Sequence, residues 1–381
     1  MKKTGLVILA ATTIISSCNR KGCTDSEALN YSEKAKKDDG TCTYFDLNVP
    51  ATYVFTDTDL NNTVSYTGQT ERLDQLTEMA TIMKTGTTTT LSLNSLIDMF
   101  ANTGGNGNGN FSFTSTKKLQ DKCLAADTSL FIDYMDSLAV ASVSFANTAS
   151  DGNAGTITSG TSTYLFAANG IEYVQLIEKG LMGAVFLYQA TNIYFGSDEM
   201  NVDNTTAVDA SGGEYFTEME HHWDEAFGYF GVPVDFPTNI TGIHFWGKYC
   251  NTRDAQLGCN AIMMNSFKRG RAAISADELT IRDEEILTLR KTWEKICAAQ
   301  AVAYLEEAKT NFGIDNAKFL HELSEAYAFI MCLKYIPLET RVITYAQIDG
   351  LLSTTIGSNF WVVTQADLTD AINTLEGIYT F

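Results

Sequence analysis

From Tyr53 onward only Pro233, Pro237 and Pro337 interrupt the chain, and over long stretches apolar residues recur every three and four positions rather than alternating. A proline-poor chain with that period folds into helices, because nothing removes the backbone donors that a helix needs. The pattern predicts an all-α protein with helices over 69–85, 93–101, 115–125, 130–143, 169–194, 215–230, 260–274, 276–309, 316–335, 344–352 and 365–378. Asp127 and Ser275 stand where N-caps are expected. Glycine-rich, polar connectors are predicted at Thr103–Asn110 and Asp151–Ser162, and an acidic loop at Gly196–Glu214. The first connector has neither the GxGxxG spacing nor the lysine of a phosphate-binding loop.

Residues before Tyr53 follow other rules. Met1-Lys2-Lys3, the apolar run Leu6–Ile15 and the small Ser16-Ser17 before Cys18 form a secretory signal over 1–17, with Cys18 placed as in a bacterial lipobox and so expected to carry a lipid anchor. The expected address is the cell envelope, as an outer-membrane lipoprotein on the periplasmic face or the cell surface. Residues 18–48 read as an anchor and linker in which Cys23 and Cys42 close a polar loop, and Asp25, Asp38 and Asp39 offer hard oxygens to calcium. Residues 49–381 are the main helical region, with a boundary between two bundles expected near 196–213. Cys250 and Cys259 make a second local pair, leaving Cys123, Cys297 and Cys332, and no Cys-x-x-Cys supports a thiolate zinc site.

With 26 basic against 46 acidic side chains the formal charge is −20, which argues against nucleic acid as a partner. Only four histidines are present, two of them in Glu218-Met219-Glu220-His221-His222-Trp223-Asp224-Glu225. At 3.6 residues per turn, His222, Glu218 and Glu225 share the edge of an apolar stripe, and His221 points to solvent. Imidazole with carboxylates suits iron or zinc. His321 and Glu325, at i and i+4 on a helix that is apolar all round in its later turns, are a second pair facing an interior cleft. The expected metal set is therefore His222, Glu225 and Glu218 with His321 and Glu325 completing it from a facing helix. His321-Glu322 begins a zinc-peptidase pattern, but Glu325 stands where the second histidine belongs. A purely structural reading has Trp223, Phe227, Phe230 and Tyr327 packing a core, with Arg269 and Arg271 binding buried carboxylates. His244–Tyr249 is aromatic enough to line a porphyrin pocket, although packing explains it more simply.

Four segments in order, Thr63–Leu73, Trp223–Gly231, Phe267–Ile274 and His321–Tyr327, resemble an uncharacterised lipoprotein family of Bacteroidota that is similar to the imelysins. The resemblance implies an all-helical fold of two bundles related by an internal repeat, attachment to the outer membrane or exposure in the periplasm, and a link to iron supply, with a metal ion or iron compound as ligand. The competing expectation is a non-catalytic interaction lipoprotein, accessory to an outer-membrane receptor. The imelysin motif Gly-x-His-x-x-Glu falls on His222 and Glu225, with Glu220 in place of its glycine. A peptidase label attached to some imelysins is the alternative activity.

Overall fold

The helical period resolves into twelve α-helices and two small hairpins in the computed structural model, which describes residues 20–26, 28–43 and 47–381. The expected signal and Cys18 lie outside the described residues.

By their contacts, residues up to Asn48 and those from Val49 onward form two units. In the first, a Cys23–Cys42 disulfide closes the polar loop as expected, and Asn30 ties it by donating to the Thr41 carbonyl at 2.6 Å and accepting from the Thr43 N–H at 2.9 Å. Such a crosslink substitutes for the core that a segment this small cannot build. Asp38 and Asp39 spend oxygens on the N–H groups of Gly40 and Thr41, at 3.0 and 3.1 Å.

The second unit runs α1 (Thr67–Lys84), α2 (Leu93–Phe100), α3 (Thr128–Ser142), the antiparallel hairpin β1 (Gly155–Ser159) and β2 (Ser162–Phe166), then α4 (Tyr173–Leu181) and α5 (Ser197–Met200). A second hairpin, β3 (Ala207–Asp209) and β4 (Glu214–Thr217), leads into α6 (Glu218–Phe230), followed by α7 (Phe245–Leu257), α8 (Cys259–Ser275), α9 (Leu279–Asn311), α10 (Asn316–Cys332), α11 (Tyr345–Asp349) and α12 (Gln365–Ile378). At 33 residues, α9 spans about 50 Å and is the axis on which α8, α10 and α12 pack. Its Leu289, Trp293, Ile296, Cys297, Ala301 and Leu305 are fully buried, and the small Ala298 and Ala299 let neighbouring backbones approach. α6 is bounded on both sides by its own sequence: Thr217 and Glu220 form a reciprocal capping box, and Gly231 ends it at φ 75°, where a Cβ would stand 2.9 Å from the His244 carbonyl oxygen.

Several expectations change. Residues 115–125 carry only two 3₁₀ turns, because carbonyls that a helix would use are taken by side chains: Arg72 and Gln75 bond Lys118 and Lys117, and Asn102 bonds Ser115 and Lys117. The helix expected from 169 starts at Tyr173 and widens after Leu181 into π turns over Met182–Leu187 and Gln189–Tyr194. The connector at 151–162 and the acidic loop at 196–214 contain strands: in the first hairpin Thr158 and Ser159 pair with Thr163 and Ser162 across a tight turn, and in the second Ala207 pairs with Thr217 and Asp209 with Glu214. Asp127 precedes α3 but gives its carboxylate to Lys334 at 2.9 Å instead of capping. Ser275 is the last residue of α8, where its hydroxyl donates to Glu220 Oε1 at 2.7 Å. Cys250 and Cys259 are free thiols, not a disulfide: the left-handed turn at Gly258 sets the Cys259 thiol on the Cys250 carbonyl at 3.2 Å. Cys123, Cys297 and Cys332 are also buried thiols. His244–Tyr249 opens α7, and Trp246 is core, its indole N–H on the Met182 carbonyl at 2.9 Å and its ring edge-on to Trp293 and Phe329.

Candidate metal site

Asp315 caps α10 by accepting from the Ala317 and Lys318 N–H groups, which sets the rotation of the helix and turns His321 and Glu325 towards the α4 side. Glu172, immediately before α4, is fixed twice: its N–H donates to Ser324 Oγ at 3.0 Å, and its Oε1 accepts from Gln175 at 3.1 Å. Its second oxygen lies 2.6 Å from His321 Nδ1. Tyr164 of β2 covers the imidazole face, ring centroids 4.5 Å apart. The other ring nitrogen, Nε2, faces Glu325 Oε2 at 3.7 Å.

Glu325 is shared, with Oε1 lying 3.4 Å from the buried Lys179 ammonium, which Glu178 also holds at 3.0 Å. Glu322 Oε2 is buried with no donor from another residue, and the Glu307 carboxylate lies beside Glu322. One ligand atom each from His321, Glu322 and Glu325 lies within 4.8 Å of the others. His321 and Glu325 border a cleft of about 500 Å³ whose walls include Tyr164, Tyr249, Tyr304 and Lys248.

The charges here are set by opposition. Burial disfavours protonated His321, but Glu172, Glu325 and Glu322 outweigh it and push its pKa up to about 9. Burial raises Glu322 to about 8, against the pull of His321 and with the repulsion of Glu325 and Glu307. Lys179 keeps its proton despite burial because Glu178 and Glu325 flank it. The cluster therefore retains protons at neutral pH in positions where a divalent cation would satisfy the same carboxylates.

The residues expected to complete this set are elsewhere. His222, Glu225 and Glu218 lie on α6 and share no hydrogen bond or ion pair with His321 or Glu325 among the described residues. His222 Nδ1 donates to Glu225 Oε2 at 3.1 Å, and its Nε2 lies 2.8 Å from Glu199 Oε2 of α5 as an ion contact, not an aligned hydrogen bond. Burial opposes the charge on His222, yet Glu225, Glu199 and Glu218 together raise its pKa. Glu218 is exposed on the first turn. His221 does not point to open solvent: its Nδ1 donates to the Ser65 carbonyl at 3.1 Å and Phe216 of β4 stacks on its ring at 4.8 Å. Burial holds the pKa of His221 below the usual value.

Three of the four quoted segments meet in a charge network that is closed to solvent. Arg271, fully buried, binds Glu220 Oε1, Asp224 Oδ1 at 3.1 Å and the Thr63 carbonyl at 3.0 Å. Asp224 also accepts from Tyr53 at 2.6 Å and from the Ser65 N–H at 3.1 Å. Trp223 donates to the Phe267 carbonyl, and Phe227 stacks on Tyr53 at 3.7 Å. Arg269 pairs with Glu285.

A family model matches residues 50–380, described as a domain of unknown function, DUF4856. The chain belongs to this family. Neither a curated protein nor a solved structure matches it. In this DUF4856 domain the polar groups of the fourth segment, His321–Tyr327, border a cleft, as do Gln69 and Glu225 of the first two segments, whereas Asp224 and Arg271 close on each other. Glu172, Glu322 and Glu199 were missed from sequence. Glu322 adjoins His321 and was visible as half of a peptidase pattern, whereas Glu172 and Glu199 carry no local signal.

Proposed function

We propose that this DUF4856 protein binds a divalent transition-metal ion, iron or zinc, on His321, Glu322 and Glu325, and serves in metal supply in the cell envelope rather than in catalysis. The observation that carries the reading is the asymmetry of His321: Nδ1 is held by Glu172 at 2.6 Å, while Nε2 faces Glu325 at 3.7 Å beside Glu322. Metal-binding histidines usually have their second nitrogen fixed by a carboxylate in this way, which sets the tautomer and aims the free lone pair. Metal–ligand bonds of about 2.0–2.2 Å put two donors of one ion about 3–4 Å apart; His321 Nε2 and Glu325 Oε2 stand 3.7 Å apart, and all three ligand atoms lie within 4.8 Å of one another. The cleft of about 500 Å³ leaves room for water or a small chelating molecule in the remaining positions, so an iron compound is as acceptable as a bare ion.

The envelope address rests on the signal-like start and on Cys18 as the lipid-bearing residue of an outer-membrane lipoprotein. The four segments similar to those of a Bacteroidota family akin to imelysins support iron supply and an outer-membrane receptor as partner. Peptide hydrolysis is the weaker reading, because His321 brings one imidazole and Glu325 replaces the second that a zinc peptidase of this pattern uses.

Titration of the purified protein with Zn²⁺, and anaerobically with Fe²⁺, gives saturable binding that His321→Ala and Glu325→Gln each abolish. Binding that neither substitution alters rejects the assignment.

A further inference from the structure

Seven residues of α6 from His221 align with α10 at an offset of 100: His221-His222-Trp223-Asp224-Glu225-Ala226-Phe227 against His321-Glu322-Leu323-Ser324-Glu325-Ala326-Tyr327. Histidine, glutamate and alanine are identical in register, and one aromatic residue replaces another. The surroundings recur as well. α1 packs on α6 as α4 packs on α10, and in each case a residue just ahead of the packed helix engages the histidine: Ser65, two positions before α1, and Glu172, immediately before α4. The N–H of Ser65 donates to Asp224 at 3.1 Å, and that of Glu172 donates to Ser324, the matching position, at 3.0 Å. The same two residues engage Nδ1 of their histidines, Ser65 through its carbonyl at 3.1 Å and Glu172 through its carboxylate at 2.6 Å. A hairpin aromatic lies on each ring, Phe216 at 4.8 Å and Tyr164 at 4.5 Å. Each Nε2 then faces the glutamate one turn on, at 4.0 Å in His221–Glu225 and 3.7 Å in His321–Glu325. Both pairs border clefts, of about 440 and 500 Å³ respectively.

We infer that the protein has a second site for a divalent transition-metal ion, formed by His221 Nε2 and Glu225 Oε1 in the cleft that also contains Glu214. This rests on the reading of the His321 cluster as a metal site. The local chemistry adds its own reason. A carbonyl only accepts, so the Ser65 contact places a hydrogen on His221 Nδ1 and turns the Nε2 lone pair of the neutral ring towards a carboxylate. Two acceptors facing each other are satisfied by a cation between them. Glu225 is already aimed, its Oε2 held by His222 Nδ1 at 3.1 Å and its Oε1 by Gln69 at 2.7 Å. The pair expected on α6, His222 with Glu225, thereby changes roles: His222 positions the carboxylate, and His221 supplies the ligand nitrogen. The α6 site offers two close protein donors where α10 offers three, and it binds the more weakly of the two.

Calorimetric titration of the full chain with Zn²⁺ decides it. The wild type takes two ions with dissociation constants at least tenfold apart; the His321→Ala/Glu325→Gln chain keeps one, the weaker; His221→Ala or Glu225→Gln loses that one and retains the tighter. Melting curves of each metal-free variant, within a few degrees of wild type, separate loss of a ligand from loss of the fold, and Glu225→Gln keeps the side-chain volume if His221→Ala does not fold. One ion in the wild type, lost with His321 and indifferent to His221 and Glu225, overturns this inference and leaves the α10 assignment standing. No ion in the wild type overturns both.

Discussion

Arg271 and His321 are both cations enclosed by carboxylates on long helices, and their surroundings differ in completeness. Around Arg271 the guanidinium meets Glu220, Asp224, Ser275 and Thr63, Asp224 is further bonded by Tyr53 and the Ser65 N–H, and Trp223 and Phe227 seal the knot. Around His321, one nitrogen is firmly bonded, the other stands 3.7 Å from its carboxylate, Glu322 Oε2 lacks a donor, and a cleft opens beside them. A network with every hydrogen matched to an acceptor holds the chain together and has nothing to offer a ligand. One that is buried yet short of positive charge is poised for an added cation.

The comparison is broken most directly at its closed end. Replacing Arg271 with Ala strands Glu220 and Asp224 in the interior without their counter-charge, which costs about 3–5 kcal/mol. Urea unfolding of Arg271→Ala is expected to fall by that amount, and a midpoint near that of the wild type would mean that the network is dispensable.

The second test uses pH, in the presence of a chelator. His321 has a pKa pushed from 6.5 to about 9, so the stability it contributes is present in full below about 6.5 and is lost as pH rises through about 9. Glu322, raised from 4.5 to about 8, acts in the same direction, because the folded chain holds its proton more tightly than the unfolded one does and gives up that advantage as pH rises. Asp224 in the closed network is pushed up only to about 6, so its own change is finished at lower pH. Stability is therefore expected to drop between pH 6.5 and 9 by at most about 3 kcal/mol from His321, and the drop to shrink in His321→Gln. A stability profile that is flat over this interval would contradict the charge state assigned to the cleft.

The two regions were unequally legible in the sequence. Helix faces come from local spacing, so Met219, Ala226, Phe227 and Phe230 of the expected apolar stripe, and the burial of most of α10 after Ala326, follow from the residues themselves, whereas Tyr215, expected on the same stripe, is half-buried on β4. The one-turn pairing of His321 with Glu325 follows for the same reason. What spacing does not contain is the partner brought from afar. Glu172 reaches His321 across 149 positions, and Tyr53 reaches Asp224 across 171. His221 was placed towards solvent because a helical wheel carries no information about the β3–β4 hairpin, whose Phe216 covers it. The union of His222 and His321 in one site failed on the same ground: each histidine satisfied the local rule, and tertiary packing gave each its own carboxylates.

The smallest expected effect on stability belongs to Glu325→Gln, and it sharpens the contrast most. Glu325 is buried, like the carboxylates around Arg271, but each of its partners has a second anion. Lys179 keeps Glu178 at 3.0 Å, and His321 keeps Glu172 at 2.6 Å. The amide oxygen of glutamine still accepts from Lys179, so the lost charge leaves no orphaned cation, and the cost is about 1 kcal/mol or less. The same exchange removes one of three donors to the proposed ion, and binding is expected to vanish while the fold persists. Equilibrium unfolding and Zn²⁺ titration on one preparation measure both quantities. A loss of stability as large as that of Arg271→Ala would place Glu325 among the residues that hold the chain together, and the cleft would lose its distinction from the closed network.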